Sequence, residues 1–169
     1  IIVNLFEGVD TPGGATGAVN MALGEMISDL ITGGDFRGKA GEVAVLYPHG
    51  AIAARRVLVV GLGKADSFDL EGVRRASAAA VKRARDLNAQ HVATIVHGAG
   101  IGGLDAEAAA QATVEGALLS TYRFDAAKKR EPVNEIHSLT LVEFDNSSID
   151  ALTEGAKTAE AVAAGCGIR

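Results

Sequence analysis

The chain has 169 residues, 48% of them hydrophobic and 22% charged, an ordinary globular balance that excludes an intrinsically disordered chain. One domain is expected at this length, with a core large enough to need no disulfide or metal staple. Sixteen basic against 21 acidic residues leave a net charge of −5, which argues against a broad footprint for nucleic acid or for an anionic membrane.

Residues 1–6, Ile-Ile-Val-Asn-Leu-Phe, read as a short apolar strand. Residues 16–30 carry Val19, Leu23, Ile27 and Leu30 at helical spacing, and Gly33-Gly34 stops that helix. Residues 42–47 and 55–60 are apolar or β-branched runs parted by Pro48-His49-Gly50, so two strands are expected. Asp69 is a good N-cap for a helix reaching about Asn88, with Leu70, Val73, Ser77, Ala80, Ala84 and Leu87 on one face. Its basic cluster, Arg74, Arg75, Lys82, Arg83 and Arg85, reads as a solvated face rather than a phosphate-binding surface.

Residues 92–97 form the next buried-type strand, followed by a glycine loop over 98–103. Asp105 then caps a small-residue helix to about Tyr122. A polar connector covers 128–134, and 138–144 alternates like a strand with Leu139, Leu141 and Glu143 on one side. Ser147 with Asp150 makes a capping-box pattern before a last helix over 149–164, whose stripe is Ile149, Leu152, Ala156, Ala159 and Val162. Strand–helix alternation predicts an α/β fold, a three-layer α/β/α sandwich on a mixed, mostly parallel sheet. Apolar runs are far shorter than the roughly 20 residues that span a bilayer, and no basic leader precedes them. Cys166, the single cysteine, cannot form an internal disulfide. Cytoplasmic location is the default expectation.

Ligands of such sheets bind where strand ends lead into helix N-termini. Three stretches qualify. In residues 11–20, Gly13, Gly14 and Gly17 let backbone amides approach a phosphate, and Thr16 is the expected helix cap in the alternative structural reading. Val60-Gly61-Leu62-Gly63-Lys64 lacks both the dinucleotide and the Walker spacing and reads as a structural turn. His97-Gly98-Ala99-Gly100-Ile101-Gly102-Gly103 follows a strand and opens a helix, but His97 shows no orienting partner or nucleophile, so a structural strand-end role competes. His49, His91, His97 and His137 lie far apart with no paired ligand spacing, so no metal cluster is expected.

The order of motifs resembles the N-terminal domain of the leucyl (cytosol) aminopeptidase family. The stretches that carry it are Val3-Asn4-Leu5-Phe6-Glu7-Gly8, Gly13-Gly14-Ala15-Thr16-Gly17-Ala18-Val19-Asn20, Ile27-Ser28-Asp29-Leu30 and Phe36-Arg37-Gly38-Lys39-Ala40-Gly41-Glu42. They continue with Arg55 to Lys64, Val114-Glu115-Gly116-Ala117-Leu118-Leu119, Tyr122-Arg123-Phe124-Asp125 and Ser138-Leu139-Thr140-Leu141-Val142-Glu143. The resemblance implies a two-domain metal-dependent exopeptidase whose catalytic half binds two divalent metals, manganese or zinc. The Asn-Thr-Asp-Ala-Glu-Gly-Arg type of signature has no counterpart here, so no catalytic or metal residue is assigned to this chain.

The same resemblance implies a macro-domain-like body over 1–145, and a connecting helix over 146–169 leading to a catalytic domain absent from the chain. The expected role is assembly, with a hexamer as the implied oligomer, and shaping access to the catalytic half. A macro-like module binding ADP-ribose or another phosphorylated ligand is the alternative. Its candidate loops are Gly13, Gly14, Thr16 and Gly17, then His97, Gly98, Gly100 and Gly102, although no acidic residue matches the one expected to hold adenine. A DNA-binding accessory is the third reading, weakened by the charge.

Overall fold

A computed structural model describes residues 1–121 and 135–165. The expected helix end at Tyr122, the 122–125 motif, the 128–134 connector and Cys166 lie outside the described residues. The strands are β1 (Ile2–Leu5), β2 (Val43–Leu46), β3 (Val57–Gly61), β4 (His91–Ile95) and β5 (Ser138–Val142). The helices are α1 (Gly14–Ala22), α2 (Met26–Gly33), α3 (Leu70–Asp86), α4 (Ala106–Thr121) and α5 (Ile149–Gly165). The five strands form one sheet in the order β2-β3-β1-β4-β5. Only β2 runs antiparallel, to β3; the other pairings are parallel.

Period-two alternation divides β1 and β3 between two cores. Val3, Leu5, Val57 and Val59 face Leu23 and Ile27 of the α1–α2 layer. Ile2, Phe6, Leu58 and Val60 face Ala76, Ala80 and Ala84 of α3 and Ala117 of α4. The three-layer α/β/α expectation therefore holds. Val3, Val57, Val59 and Val60 are fully buried, as strands covered on both faces must be.

The predicted single helix over 16–30 is two. Gly24 and Glu25 take left-handed backbone, with φ of 62° and 68°. Asn20, buried at the end of α1, supplies the start of α2. Its Oδ1 accepts from the N–H groups of Ile27 (2.9 Å) and Ser28 (3.1 Å), and its Nδ2 donates to Glu25 Oε2 (2.6 Å) and Ser28 Oγ (2.8 Å). A cap five residues or more upstream is invisible to a spacing rule. Asn20→Ala should cost about 2 kcal/mol, the upper range for a lost cap, and lower Tm by roughly 4–8 °C in calorimetry. A shift under a degree would show the break to be held by other contacts.

Asp69 and Asp105 cap α3 and α4 as expected, accepting from Gly72 N (2.8 Å) and Ala108 N (3.0 Å). The start of α5 differs. Asp145 Oδ1 accepts from Ser147 N at 2.9 Å and sets a 3-10 turn over Asn146–Ser148, in place of a Ser147–Asp150 box. Its buried stripe is Leu152, Gly155, Ala159 and Ala163; Ile149 and Val162 are about half exposed. β5 ends at Val142, so Glu143 falls outside it, and Glu143 Oε1 instead accepts from the N–H groups of Phe144 and Asp145.

Leu152 joins α5 to Ala109 and Ala110 of α4 in a small cluster that also takes in Val96 and, from β5, Leu141. A helix anchored by small side chains opens more readily than central strands. Amides of α5 are expected to exchange well before those of β3 and β4 in hydrogen-exchange measurements. Equal protection would make α5 as firmly held as the sheet.

Candidate functional site

β3, β1, β4 and β5 point the same way, so the loops leaving their carboxyl ends share one edge of the sheet. β1 and β4 are neighbours, which sets the Gly13–Gly17 turn beside the His97–Gly102 loop. Sequence order alone does not show this meeting of the two glycine loops.

α1 begins at Gly14 with Gly13 as its N-cap, and no side chain caps it. Thr16, expected as the cap, lies within the first turn and donates its hydroxyl to the Asn4 carbonyl at 2.7 Å. After β4 the chain makes a 3-10 turn over Gly100–Gly102, and Leu104 N–H closes the loop by donating to Gly98 O at 3.2 Å. Gly98 packs against Phe68 and Leu104, and Gly102 sits over the Phe6 and Phe68 rings. Those rings meet edge to face at 5.1 Å. The second loop is therefore seated on aromatic packing.

His97 is wholly buried. Its Nδ1 lies 2.9 Å from Asn4 Nδ2. An amide nitrogen only donates, so Nδ1 accepts and the ring proton sits on Nε2. Nε2 is buried with no hydrogen-bond partner among the described residues. Burial pushes the His97 pKa down to about 4, so the ring is neutral at pH 7. A neutral, enclosed imidazole cannot act as a cationic clamp on a phosphate.

Asn4 joins the two loops. Its carbonyl receives Thr16 and its amide meets His97. Sequence reasoning passed over it, though a polar residue inside an apolar strand was the available signal. Alternation places Asn4, half-buried, with Ile2 and Phe6 on the α3–α4 face, where Ser77, Thr94 and Thr113 are buried.

The Gly61–Lys64 stretch, read as a turn, borders a cleft of about 80 Å³ lined by Gly41, Gly63, Lys64, Phe68, Gly72 and Arg75, among others. That is room for a few waters, well below the roughly 300–1,000 Å³ of a small-molecule site. A Cβ on Gly61 would strike the Lys39 carbonyl oxygen, so close main-chain passage requires glycine there. The basic cluster of α3 divides by role. Arg74 Nε donates to Glu115 Oε2 at 2.7 Å and Arg85 Nη1 to Ser120 O at 3.0 Å, bracing α3 to α4. Arg75, Lys82 and Arg83 remain exposed.

Among the described residues, no three His, Cys, Asp or Glu side chains converge on an ion site. The donor set of the described residues does not fit the two metals of an aminopeptidase centre. Also among the described residues, no helix is long and apolar enough to cross a membrane. One expectation about histidines changes. The β4–β5 pairing brings His91 and His137 together, with ring centroids 6.2 Å apart.

Comparison with known proteins agrees with this architecture. The family model for the N-terminal domain of the cytosol aminopeptidase family matches residues 2–131. A probable cytosol aminopeptidase of Roseiflexus castenholzii is 38% identical over 139 residues, covering 80% of this chain and 27% of the relative. Tomato leucine aminopeptidase superposes with a TM-score of 0.72 at 19% identity, over 97% of this chain and 33% of that one. An Oceanobacillus iheyensis macrodomain, solved with ADPR, gives 0.71 at 15% identity over 95% of this chain and 86% of that one, which shows the shared fold. The chain thus spans about a third or less of the length of these aminopeptidases. With the match running from β1 through α4 on a macrodomain-like sheet, the chain belongs to the cytosol aminopeptidase family and corresponds to its N-terminal domain.

Proposed function

We propose that this chain serves as the accessory domain of a cytoplasmic, metal-dependent aminopeptidase, aiding assembly and shaping access to a separate catalytic domain. The family match over residues 2–131 carries this reading. In it, residues 1–145 are the macro-like body and 146–169 the connecting helix. The catalytic domain supplies the ligands for two divalent metals, manganese or zinc, and the domains assemble as a homo-oligomer, a hexamer in the family pattern. Phe144, fully exposed, with Ile149 and Val162, about half exposed, supports a covered surface near α5.

The 169-residue chain is expected to release no leucine from a chromogenic leucyl substrate, with or without added manganese or zinc. Two-metal hydrolysis needs ligands that hold ions roughly 3.5–4 Å apart. Activity that survives repeated purification would overturn the reading.

A second reading, binding of ADP-ribose or a related phosphorylated ligand, is favoured by one observation: the two glycine loops meet at neighbouring strand ends. Calorimetry with ADP-ribose tests it, and absence of heat at millimolar ligand removes it.

A further inference from the structure

His91 opens β4, and His137 immediately precedes β5. The parallel ladder pairs His91 with Ser138, which sets the two histidines side by side at the amino ends of these strands. The main chain fixes them there: the N–H groups of His137 (2.7 Å) and Ser138 (3.3 Å) both donate to the Gln90 carbonyl. Both side chains are exposed. Their ring centroids are 6.2 Å apart, with planes inclined by 58°.

Two imidazole nitrogens bound to one ion at about 2.0–2.1 Å put the ring centres roughly 5–6 Å apart, depending on the angle at the metal. The observed spacing reaches that range with a small side-chain rotation. His91 Nδ1 lies 2.8 Å from Ser138 Oγ. When Nδ1–H donates to this hydroxyl, the lone pair sits on Nε2. A ligating histidine is characteristically held through its other nitrogen in this way. Imidazole pairs suit zinc, copper and nickel, whereas magnesium and manganese prefer oxygen donors.

We propose that His91 and His137 form a surface two-histidine site for a divalent transition metal such as Zn²⁺, with Ser138 as the positioning residue. Among the described residues no third side chain joins them, so water completes the coordination. The bound ion clips β5 to β4, its one partner in the sheet among the described residues. The proposal stands apart from the aminopeptidase reading and does not depend on it.

Isothermal titration with ZnCl₂ tests the site, in a Cys166→Ser background so that the thiol does not compete. One ion per chain is expected, in the micromolar range, with negligible heat from MgCl₂. His91→Gln and His137→Gln should each weaken binding at least about tenfold. The double variant should be little weaker than either single, because one imidazole alone holds the ion poorly. Ser138→Ala should weaken binding about tenfold, as removal of an orienting partner does, while the Zn²⁺-induced shifts of the His91 and His137 ring protons persist. His49→Gln should leave affinity unchanged. Single variants that bind like the unaltered chain, or losses that merely add in the double variant, would overturn the proposal. So would Zn²⁺ shifts as large at His49 as at the pair.

Discussion

Acidification from pH 7 to pH 4 should cost this fold about 3 kcal/mol through His97 alone. A free histidine titrates near 6.5, and burial holds His97 near 4 in the folded state. Between those values the unfolded chain takes up a proton that the folded chain refuses. Stability therefore falls as pH drops through the window from about 6.5 to about 4, by roughly 1.4 kcal/mol for each unit of separation. About 2 kcal/mol should already be gone at pH 5, where carboxylates still contribute little. For a chain of this length, the full loss corresponds to a Tm lower by roughly 6–12 °C. Denaturant titrations of the unaltered chain and of His97→Gln, at pH 7 and pH 5, isolate the effect. The variant should be the less pH-sensitive by about 2 kcal/mol, and parallel curves would remove the burial argument.

The second large effect is predicted at Gly116, where α4 passes close against the α3 main chain. A Cβ there would fall on the Arg74 carbonyl oxygen and crowd the Arg74 Cα and carbonyl carbon. These are main-chain atoms and cannot rotate aside. Gly116→Val must push the helices apart, straining the Ser77 Oγ bond to Thr113 O (2.6 Å) and the Arg74–Glu115 pair. A loss of about 3 kcal/mol is expected, the upper end for overpacking. Gly165→Ala, where a Cβ meets nothing within 4 Å, is the control and should be neutral or slightly stabilising. Equal melting temperatures for the two variants would show that the α3–α4 contact yields without cost.

These two sites also mark how far sequence reading reached. The buried runs of β3 and β4 and the Asp69 and Asp105 caps were legible, because each depends on neighbours along the chain. The Asn20 cap, the Asn4–His97 bond and the His91–His137 pair were not. Each arises from which segments lie side by side, and strand order and register are properties of the whole sheet. The α5 stripe was misplaced for a different reason. Its contact face uses Gly155, Ala159 and Ala163, which offer almost no hydropathic contrast with their neighbours. By that measure Ile149 and Val162 look more buried than they are. The glycine loops were legible as loops, but their seating on Phe6 and Phe68 was not.

The central place of β1 bears on how the protein is made. This strand is translated ahead of the other elements described, yet both its neighbours come much later: Ile2 pairs with Leu58 of β3 and with Thr94 of β4. At about 5–20 residues per second, a ribosome needs several seconds or more to pass from the first strand to the last of these partners. Until β3 has been made, Ile2, Val3 and Leu5 have no strand to pair with, and the other edge of β1 stays open until β4 follows. The nascent chain must carry an apolar β-prone segment in the open, which makes it a ready binding site for a chaperone. Synonymous changes that slow translation between β1 and β4 should lower the yield of folded protein more than equal delays placed after β5.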